Sequence, residues 1–175
     1  MALGELCRVG RGTYITGKQV IPGAIPVILG GMEPAYYHNV ANHEGEAIVV
    51  SRSGVNAGYA SFWDEPIFVS DGFVVDNPVA GVSLPYVFQA LRAKQQEMIG
   101  MNRGSGVPHI TGKMLANVSI PVPHLEVQRG IVRVLDEYAA AHEQLAEQLE
   151  VERETRERQL SLVRNQLLTF TEKAA

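Results

Sequence analysis

The chain has 175 residues, 46% of them hydrophobic, which is enough for one globular core of roughly 120 residues and an extension. Its net charge is −4, and neither residues 1–123 nor residues 124–175 carry the basic surplus of a free-standing nucleic-acid binder, so a DNA role needs local patches or a basic partner. The sequence has no long apolar run, no signal pattern and a single cysteine, Cys7, so we expect a soluble cytoplasmic protein without an internal disulfide.

Short apolar segments separated by Gly, Pro and Asn dominate the first 120 residues and predict strands. The predicted strands are residues 25–29, 47–51, 59–63, 67–69, 72–75 and 118–122. One helix is predicted from Leu84 to about Gly100, with Ser83 as N-cap and Pro85 in the first turn. Its apolar positions Val87, Leu91 and Met98 are expected to face the sheet. The fold class is therefore α+β (mixed α/β), with a sheet-rich domain over residues 1–123.

A long helix is predicted to follow as a separate arm over residues 124–175, because no Pro or Gly interrupts the sequence between Gly130 and Leu168. A straight helix from Leu125 to Leu168 is about 65 Å long, beyond the diameter of a small domain. Its apolar seam begins at Ile131, Leu135, Tyr138, His142, Leu145 and Leu149, in alternating steps of four and three. An eleven-residue step, which relaxes or reverses a left-handed supercoil, leads to Leu160, Val163 and Leu167.

Such an apolar stripe needs a partner, because an isolated helix gains most of its stability by burying one face. The predicted dimer interface comprises the seam residues Ile131, Leu135, Tyr138, Leu145, Leu149, Leu160, Val163 and Leu167. The mostly charged segment 150–158 between the two apolar blocks is poorly suited to a dry contact. The arm is thus a spacer or dimerisation element that binds its own copy or another protein.

Several enzyme motifs fail on spacing. The segment from Asp76 to Val79 lacks the second Pro and the aromatic residue of the loop that grips a flipped base, and we interpret it as a turn. His43 and Glu44 lack the second His of a helical zinc site, and the glycines around Ser105 are too close for a nucleophile elbow. The sequence therefore predicts no catalytic residue and no metal site.

Three loops combine glycine with hydrogen-bond donors, at residues 11–18, 51–54 and 102–109. Glycine allows close approach of the backbone to a phosphate, and Arg can form two hydrogen bonds with guanine. Gly, Ser and Asn are also ordinary turn residues, so each loop alone is weak evidence for DNA contact. Tyr36 and Tyr37 can contact a sugar or base but more commonly cap a sheet; Phe62 and Trp63 are expected in the core.

Taken together, these residues resemble half of a specificity subunit of a type I restriction-modification system, with one target recognition domain and one spacer helix. The most specific segment is the strand-like Ile120-Pro121-Val122-Pro123 leading into a helix that carries Gln128. The matching segments are residues 3–6, 11–16, 30–39, 48–75 and 104–138, which are spread from residue 3 to residue 138 of the chain. His124 and Val127 depart from the family pattern at the start of the helix.

The resemblance implies a two-domain reader of a bipartite target. Complete subunits in this family hold two recognition domains apart with two antiparallel helices, so two copies of this chain would form an antiparallel homodimer that reads a palindromic bipartite site. The resemblance also implies double-stranded DNA, modification methyltransferase subunits and the restriction subunit as partners. The chain itself needs no cofactor, since S-adenosylmethionine belongs to the methyltransferase subunit.

The matching loops supply the candidate DNA-binding residues. They are Thr13, Tyr14, Thr16, Lys18, Arg52, Ser53, Arg103, Ser105, His109 and Lys113. Arg52 and Arg103 are the candidates for base readout, and Lys18 and Lys113 for phosphate contacts.

Two alternatives stay open at the level of sequence. One is a coiled-coil adaptor that binds a protein and never contacts DNA. The other is a half-subunit that pairs with a different specificity polypeptide rather than with its own copy.

Overall fold

The computed structural model describes residues 1–30, 33–100 and 109–169, and the chain divides into two compact units, Met1–Val132 and Arg133–Ala175. The division falls inside the last helix, whose first two turns belong to the first unit.

The described residues of the first unit form seven strands. In chain order they are β1 (Arg8–Arg11), β2 (Pro22–Ile28), β3 (Tyr36–His38), β4 (Ala47–Ser51), β5 (Ala60–Trp63), β6 (Phe68–Val69) and β7 (Gly72–Asp76). Four of them form an antiparallel sheet in the order β1-β7-β4-β5. The other three form a sheet in the order β3-β2-β6, in which β2 pairs antiparallel with β3 and parallel with β6.

The four-stranded sheet is buried on both faces, and the alternation of side chains along β4 shows how. Ile48 and Val50 point into the larger core, together with Leu3, Leu6, Leu91 and other residues of the helices. Ala47 and Val49 point to the opposite face, where Val69 of β6 and the adjacent Ile67 cover them. All five residues of β4 are therefore buried, which explains why this segment is a continuous apolar run rather than an alternating one.

Helices pack on the larger core. They are α1 (Leu3–Leu6), α2 (Leu84–Ala93), α3 (Gln95–Gly100), α4 (Gly112–Ala116) and α5 (Leu125–Leu168), with a short 3₁₀ turn at Gly17–Gln19. The single helix predicted from Leu84 to Gly100 is two helices, because the chain leaves α-helical geometry at Lys94. The predicted burial of Val87, Leu91 and Met98 is confirmed.

The strand predictions are confirmed for five of the six segments, and the prediction for residues 118–122 is wrong. In that segment only Ser119 forms an isolated bridge, with Ala2. Pro121 and Pro123 have no N–H group to donate to a sheet, so the segment cannot continue as a ladder strand. Its Val118 and Ile120 are nevertheless buried, which accounts for the apolar pattern. Strands β1 and β3 were not predicted.

Helix α5 begins at Leu125 and ends at Leu168, as predicted. The fold class, a sheet-rich α+β domain followed by one long helix, is also confirmed. Gln128 holds the start of the helix on the first unit and is fully buried. Its Nε2 donates to the Gly81 carbonyl oxygen at 2.9 Å and to the Pro123 carbonyl oxygen at 2.8 Å, and its Oε1 accepts from the Ser83 N–H at 2.9 Å. Two of these hydrogen bonds join Gln128 to the loop before α2, and the third joins it to the residue two positions before α5 begins.

The second unit consists of the remainder of α5, and its apolar side chains are exposed. Leu135, Tyr138, Leu149, Leu160, Val163 and Leu167 have exposed fractions between 41% and 73%. Ion pairs within the helix stabilise the charged middle segment: Arg153 pairs with Glu150 and Glu157, Arg156 with Glu152, and Arg158 with Glu154. Over the described residues, no helix is long and apolar enough to cross a membrane.

Candidate nucleic-acid interface

An open cleft of about 460 Å³ lies on the first unit, between the loop after β1 and the loops that follow β2 and β4. It is lined by Tyr14, Ile15, Thr16, Gly17, Leu29, Gly30, Tyr36, Ser53 and Asp71. Three of the predicted DNA-binding residues, Tyr14, Thr16 and Ser53, therefore meet at one place although they lie far apart in the sequence. The glycines and hydroxyl groups in this lining leave room for a polar ligand.

Close packing against the three-stranded sheet fixes the loop after β1. A Cβ atom at Gly12 would lie 2.4 Å from the Val69 carbonyl oxygen, so only glycine is accommodated there. The Thr13 N–H donates to the same Val69 oxygen at 2.9 Å, and the Ile15 N–H donates to Ser70 Oγ at 3.0 Å. The buried Ile15 side chain anchors the loop from below, which leaves the side chain of Tyr14 72% exposed.

The 3₁₀ turn at Gly17–Gln19 closes this loop. Thr16 and Gln19 form a capping box, in which the Thr16 N–H and the Thr16 hydroxyl both donate to Gln19 Oε1. Lys18 is exposed in the turn and does not line the cleft.

Tyr36 is a cleft residue that the sequence analysis set aside. It lies on β3 with 41% of its surface exposed, and its hydroxyl oxygen lies only 3.3 Å from the position of a Cβ on Gly17. The neighbouring Tyr37 is 55% exposed but does not line the cleft. Tyr36 thus lies on an edge strand of the three-stranded sheet and also lines the cleft, so both roles considered for it stay predictions; its available signal was its position after a glycine-rich turn.

Asp71 organises the opposite side of the cleft and was not predicted. One of its carboxylate oxygens accepts a hydrogen bond from Ser53 Oγ, and the other lies 3.4 Å from Arg52 Nε. Arg52 Nη2 in turn lies 3.4 Å from His109 Nε2. Backbone contacts join the loop after β4 to residues 109–110. They are a bridge between Ser53 and His109 and a hydrogen bond from the Ile110 N–H to the Arg52 carbonyl oxygen. Arg52 is thus held beside a carboxylate rather than extending freely.

The remaining predicted residues lie elsewhere. Thr13 is exposed beside the cleft without lining it. Lys113 is exposed on α4, which contacts α1 and β1, and it does not line the cleft either. Arg103 and Ser105 lie outside the described residues.

A second polar cluster surrounds the buried Asp76 carboxylate at the end of β7. Arg8 donates to both carboxylate oxygens of Asp76, and His43 Nδ1 lies 3.5 Å from the same carboxylate. Asn77 follows with a φ of 45°, a left-handed conformation that Asn tolerates, as expected for the predicted turn. Burial, together with the nearby Asp76 charge, raises the pKa of Cys7 to about 11, so its thiol is protonated at neutral pH.

Comparisons with known proteins identify the family. The model of the type I restriction modification DNA specificity domain matches residues 1–153. The specificity subunit of type I restriction enzyme MjaVIII from Methanocaldococcus jannaschii is 32% identical over 66 residues, which are 38% of this chain and 16% of that protein. The putative type I specificity subunit S.MpnORF285P from Mycoplasma pneumoniae is 24% identical over 181 residues, covering 96% of this chain and 56% of that protein.

Comparison with solved structures finds a similar fold in a type I S subunit. The crystal structure of the type I restriction-modification S subunit from M. genitalium superposes with a TM-score of 0.70 at 20% identity, covering 89% of this chain and 43% of that chain. This chain thus spans about half the length of that subunit and of the M. pneumoniae relative. Because the family model covers most of the sequence, the resemblance seen in the sequence is confirmed, and the chain belongs to the type I restriction-modification DNA specificity domain family.

Proposed function

We propose that this chain is a non-catalytic DNA sequence-recognition subunit of a type I restriction-modification system. The observation that carries the proposal is the family match over residues 1–153, which includes the whole first unit and the beginning of the arm. The cleft supports it, because loops that the sequence analysis selected separately for DNA contact meet there.

The chemistry of the cleft favours base edges over phosphates. Asp71 is the one charged residue among the described residues that line it, and a carboxylate repels phosphate but accepts hydrogen bonds from the amino groups of cytosine or adenine. The hydroxyl groups of Thr16 and Ser53 add donors and acceptors, and the rings of Tyr14 and Tyr36 add surfaces for packing on sugars or bases. On this proposal Lys18 and Lys113 contact phosphates outside the cleft.

The arm binds a second copy of the chain, whose recognition domain reads the second half of the target site. Its exposed apolar seam is stabilised by a second copy in antiparallel orientation, and the resulting twofold symmetry makes the target a palindromic bipartite site. Modification methyltransferase subunits, which carry S-adenosylmethionine, bind beside this dimer, as does the restriction subunit. Because the chain has a net charge of −4, we assign much of the electrostatic attraction for DNA to those partners.

DNA recognition is tested with the methyltransferase subunit present, by competition between DNA that carries a selected site and random duplex DNA. Tyr14→Ala should lower the preference for the selected site roughly tenfold or more, the value of one good base contact. Tyr37→Ala is the matched control, because Tyr37 is exposed on the same unit but does not line the cleft. Binding without any sequence preference, or no binding, would favour the adaptor that never contacts DNA.

Dimerisation is tested by light scattering. Leu149→Lys places a charge in the seam and should convert a dimer into a monomer. Leu162→Lys is the matched control, because Leu162 is equally apolar and exposed but lies on the other side of the helix. A wild-type monomer would overturn the homodimer and favour pairing with a different specificity polypeptide.

A further inference from the structure

The apolar seam of α5 has the same spacing in both directions from Leu149. Leu160, Val163 and Leu167 lie 11, 14 and 18 residues after Leu149. Tyr138, Leu135 and Ile131 lie 11, 14 and 18 residues before it. A seam that is unchanged when its direction is reversed is complementary to an identical seam running the opposite way.

These residues also share one side of the arm. At about 100° per residue, positions 11, 14 and 18 residues away from Leu149 fall within roughly 40° of its direction. The exposed fractions of the seam residues from Leu135 to Leu167 are all above 40%, so nothing in their own unit covers them. Leu162 and Val151 are similarly exposed but point to the other side of the helix, and they have no mirror-related counterparts.

We propose that two copies of the chain pair through α5 in a single antiparallel register, with Leu149 on the twofold axis. Tyr138 of one copy then faces Leu160 of the other, Leu135 faces Val163, and Ile131 faces Leu167. This inference rests on the proposed antiparallel homodimer and specifies its alignment. The overlapping stretch, residues 131–167, is about 54 Å long in a straight helix.

A shift of one heptad in either direction loses apolar contacts. Moving the partner seven residues one way carries Ile131 and Leu135 past the end of the helix at Leu168. Moving it seven residues the other way places Val163 opposite Gln128, which is buried in the first unit. Only the register centred on Leu149 gives an apolar partner to all six of the outer seam residues.

The charged middle segment is compatible with this register. In this alignment His142 and Leu145 face Arg156 and Arg153 of the other copy. Arg156 is already paired with Glu152 within its own helix, and Arg153 with Glu150 and Glu157, so their aliphatic stems can cover the opposite side chains while the charges stay in water.

Disulfide trapping tests the register in the full-length chain. The background carries Cys7→Ala, so that engineered cysteines are the only thiols, and its folding is checked by circular dichroism. Leu149→Cys alone should cross-link to itself under mild oxidation, because both copies place residue 149 at the axis and a disulfide requires Cβ atoms about 4 Å apart. Leu135→Cys alone should not cross-link.

Mixed pairs identify the partner of each seam position. Two differently sized tagged versions are co-expressed, one with Tyr138→Cys and the other with Leu160→Cys, and they should give a cross-linked heterodimer. The pairs Leu149→Cys with His142→Cys and Leu149→Cys with Arg156→Cys probe the two shifted registers and should give no heterodimer band.

The outcomes separate this inference from the proposed function. Efficient cross-linking of Leu135→Cys with itself indicates a parallel dimer, and a heterodimer band from a shifted pair indicates another alignment; either result overturns the register while leaving DNA recognition intact. A monomeric mass for the wild-type chain with no cross-linking at any position overturns the homodimer itself.

Discussion

Gln128 is the residue whose replacement most directly tests how the long helix is attached to the first unit. Gln128→Ala removes three hydrogen bonds and leaves the Ser83 N–H and the carbonyl oxygens of Gly81 and Pro123 without their partner at a fully buried site. Each buried unpaired group costs about 1–3 kcal/mol, and some of that cost is recovered when the surroundings relax. We expect a loss of about 3–5 kcal/mol in the free energy of unfolding.

Gln128→Glu separates loss of hydrogen bonding from loss of volume. The side chain keeps its size, but at neutral pH a carboxylate faces two carbonyl oxygens and donates to neither, so the loss should be at least as large as for the alanine variant. Acidification should restore part of the stability, because a protonated Glu donates one hydrogen bond and its pKa is raised by burial.

Urea denaturation followed by the fluorescence of Trp63, which lies half-buried in the first unit, measures these losses. Gln148→Ala is the control, because Gln148 is exposed on the same helix and its replacement should change stability by less than about 0.5 kcal/mol. A loss of less than about 1 kcal/mol in the free energy of unfolding for the Gln128 variants would contradict attachment of the helix through these hydrogen bonds.

Three further predictions concern the cleft and the core. Asp71→Asn removes the carboxylate that holds Arg52. In competition experiments it should lower the discrimination between selected and random DNA about tenfold without lowering the affinity for random DNA. Unchanged discrimination would contradict a role for this carboxylate in recognition. Gly12→Ala should destabilise the first unit by about 2–4 kcal/mol, because the added Cβ would overlap the backbone of the sheet. Gly130 is a helical site with open space around it, so Gly130→Ala should stabilise the unit by about 0.5–1 kcal/mol. Equal effects of the two substitutions on thermal unfolding would contradict the close packing at Gly12. The raised pKa of Cys7 means that the folded chain holds the thiol proton more tightly than the unfolded chain does. The free energy of unfolding should therefore fall by up to about 3 kcal/mol as the pH rises from about 9 to about 11. In urea denaturation, Cys7→Ala should lack this pH-dependent loss.

Much of the fold was predictable because strong local patterns determine it. Pro123 marked the start of α5, the absence of Pro and Gly after Gly130 indicated its length, and the apolar run at residues 47–50 indicated β4. Strand β1 was missed because Arg8–Arg11 has no strand-like pattern and owes its conformation to pairing with β7. Residues 118–122 show the converse error: Val118 and Ile120 of this apolar run are buried in the larger core, but the run forms an isolated bridge rather than a strand of a sheet.

The candidate site was less predictable, because it depends on which loops meet. Glycine, hydroxyl and aromatic residues marked Tyr14, Thr16 and Ser53 individually, but their convergence on one cleft is a property of the tertiary fold. Asp71 carries no local motif, and the glycine-rich turn before Tyr36 is the one local signal for that residue. Their places in the cleft follow from the contacts of the Ser53 loop and from the pairing of β3 with β2.

Selection of bound sequences from a random duplex library, with the chain and its methyltransferase subunit together, shows whether one chain supplies half of a symmetric DNA-recognition dimer. We expect an enriched motif made of two identical half-sites in inverted orientation, separated by a fixed spacer. A single or asymmetric enriched motif would contradict the symmetric dimer, and no enrichment over random sequence would contradict DNA recognition by this chain.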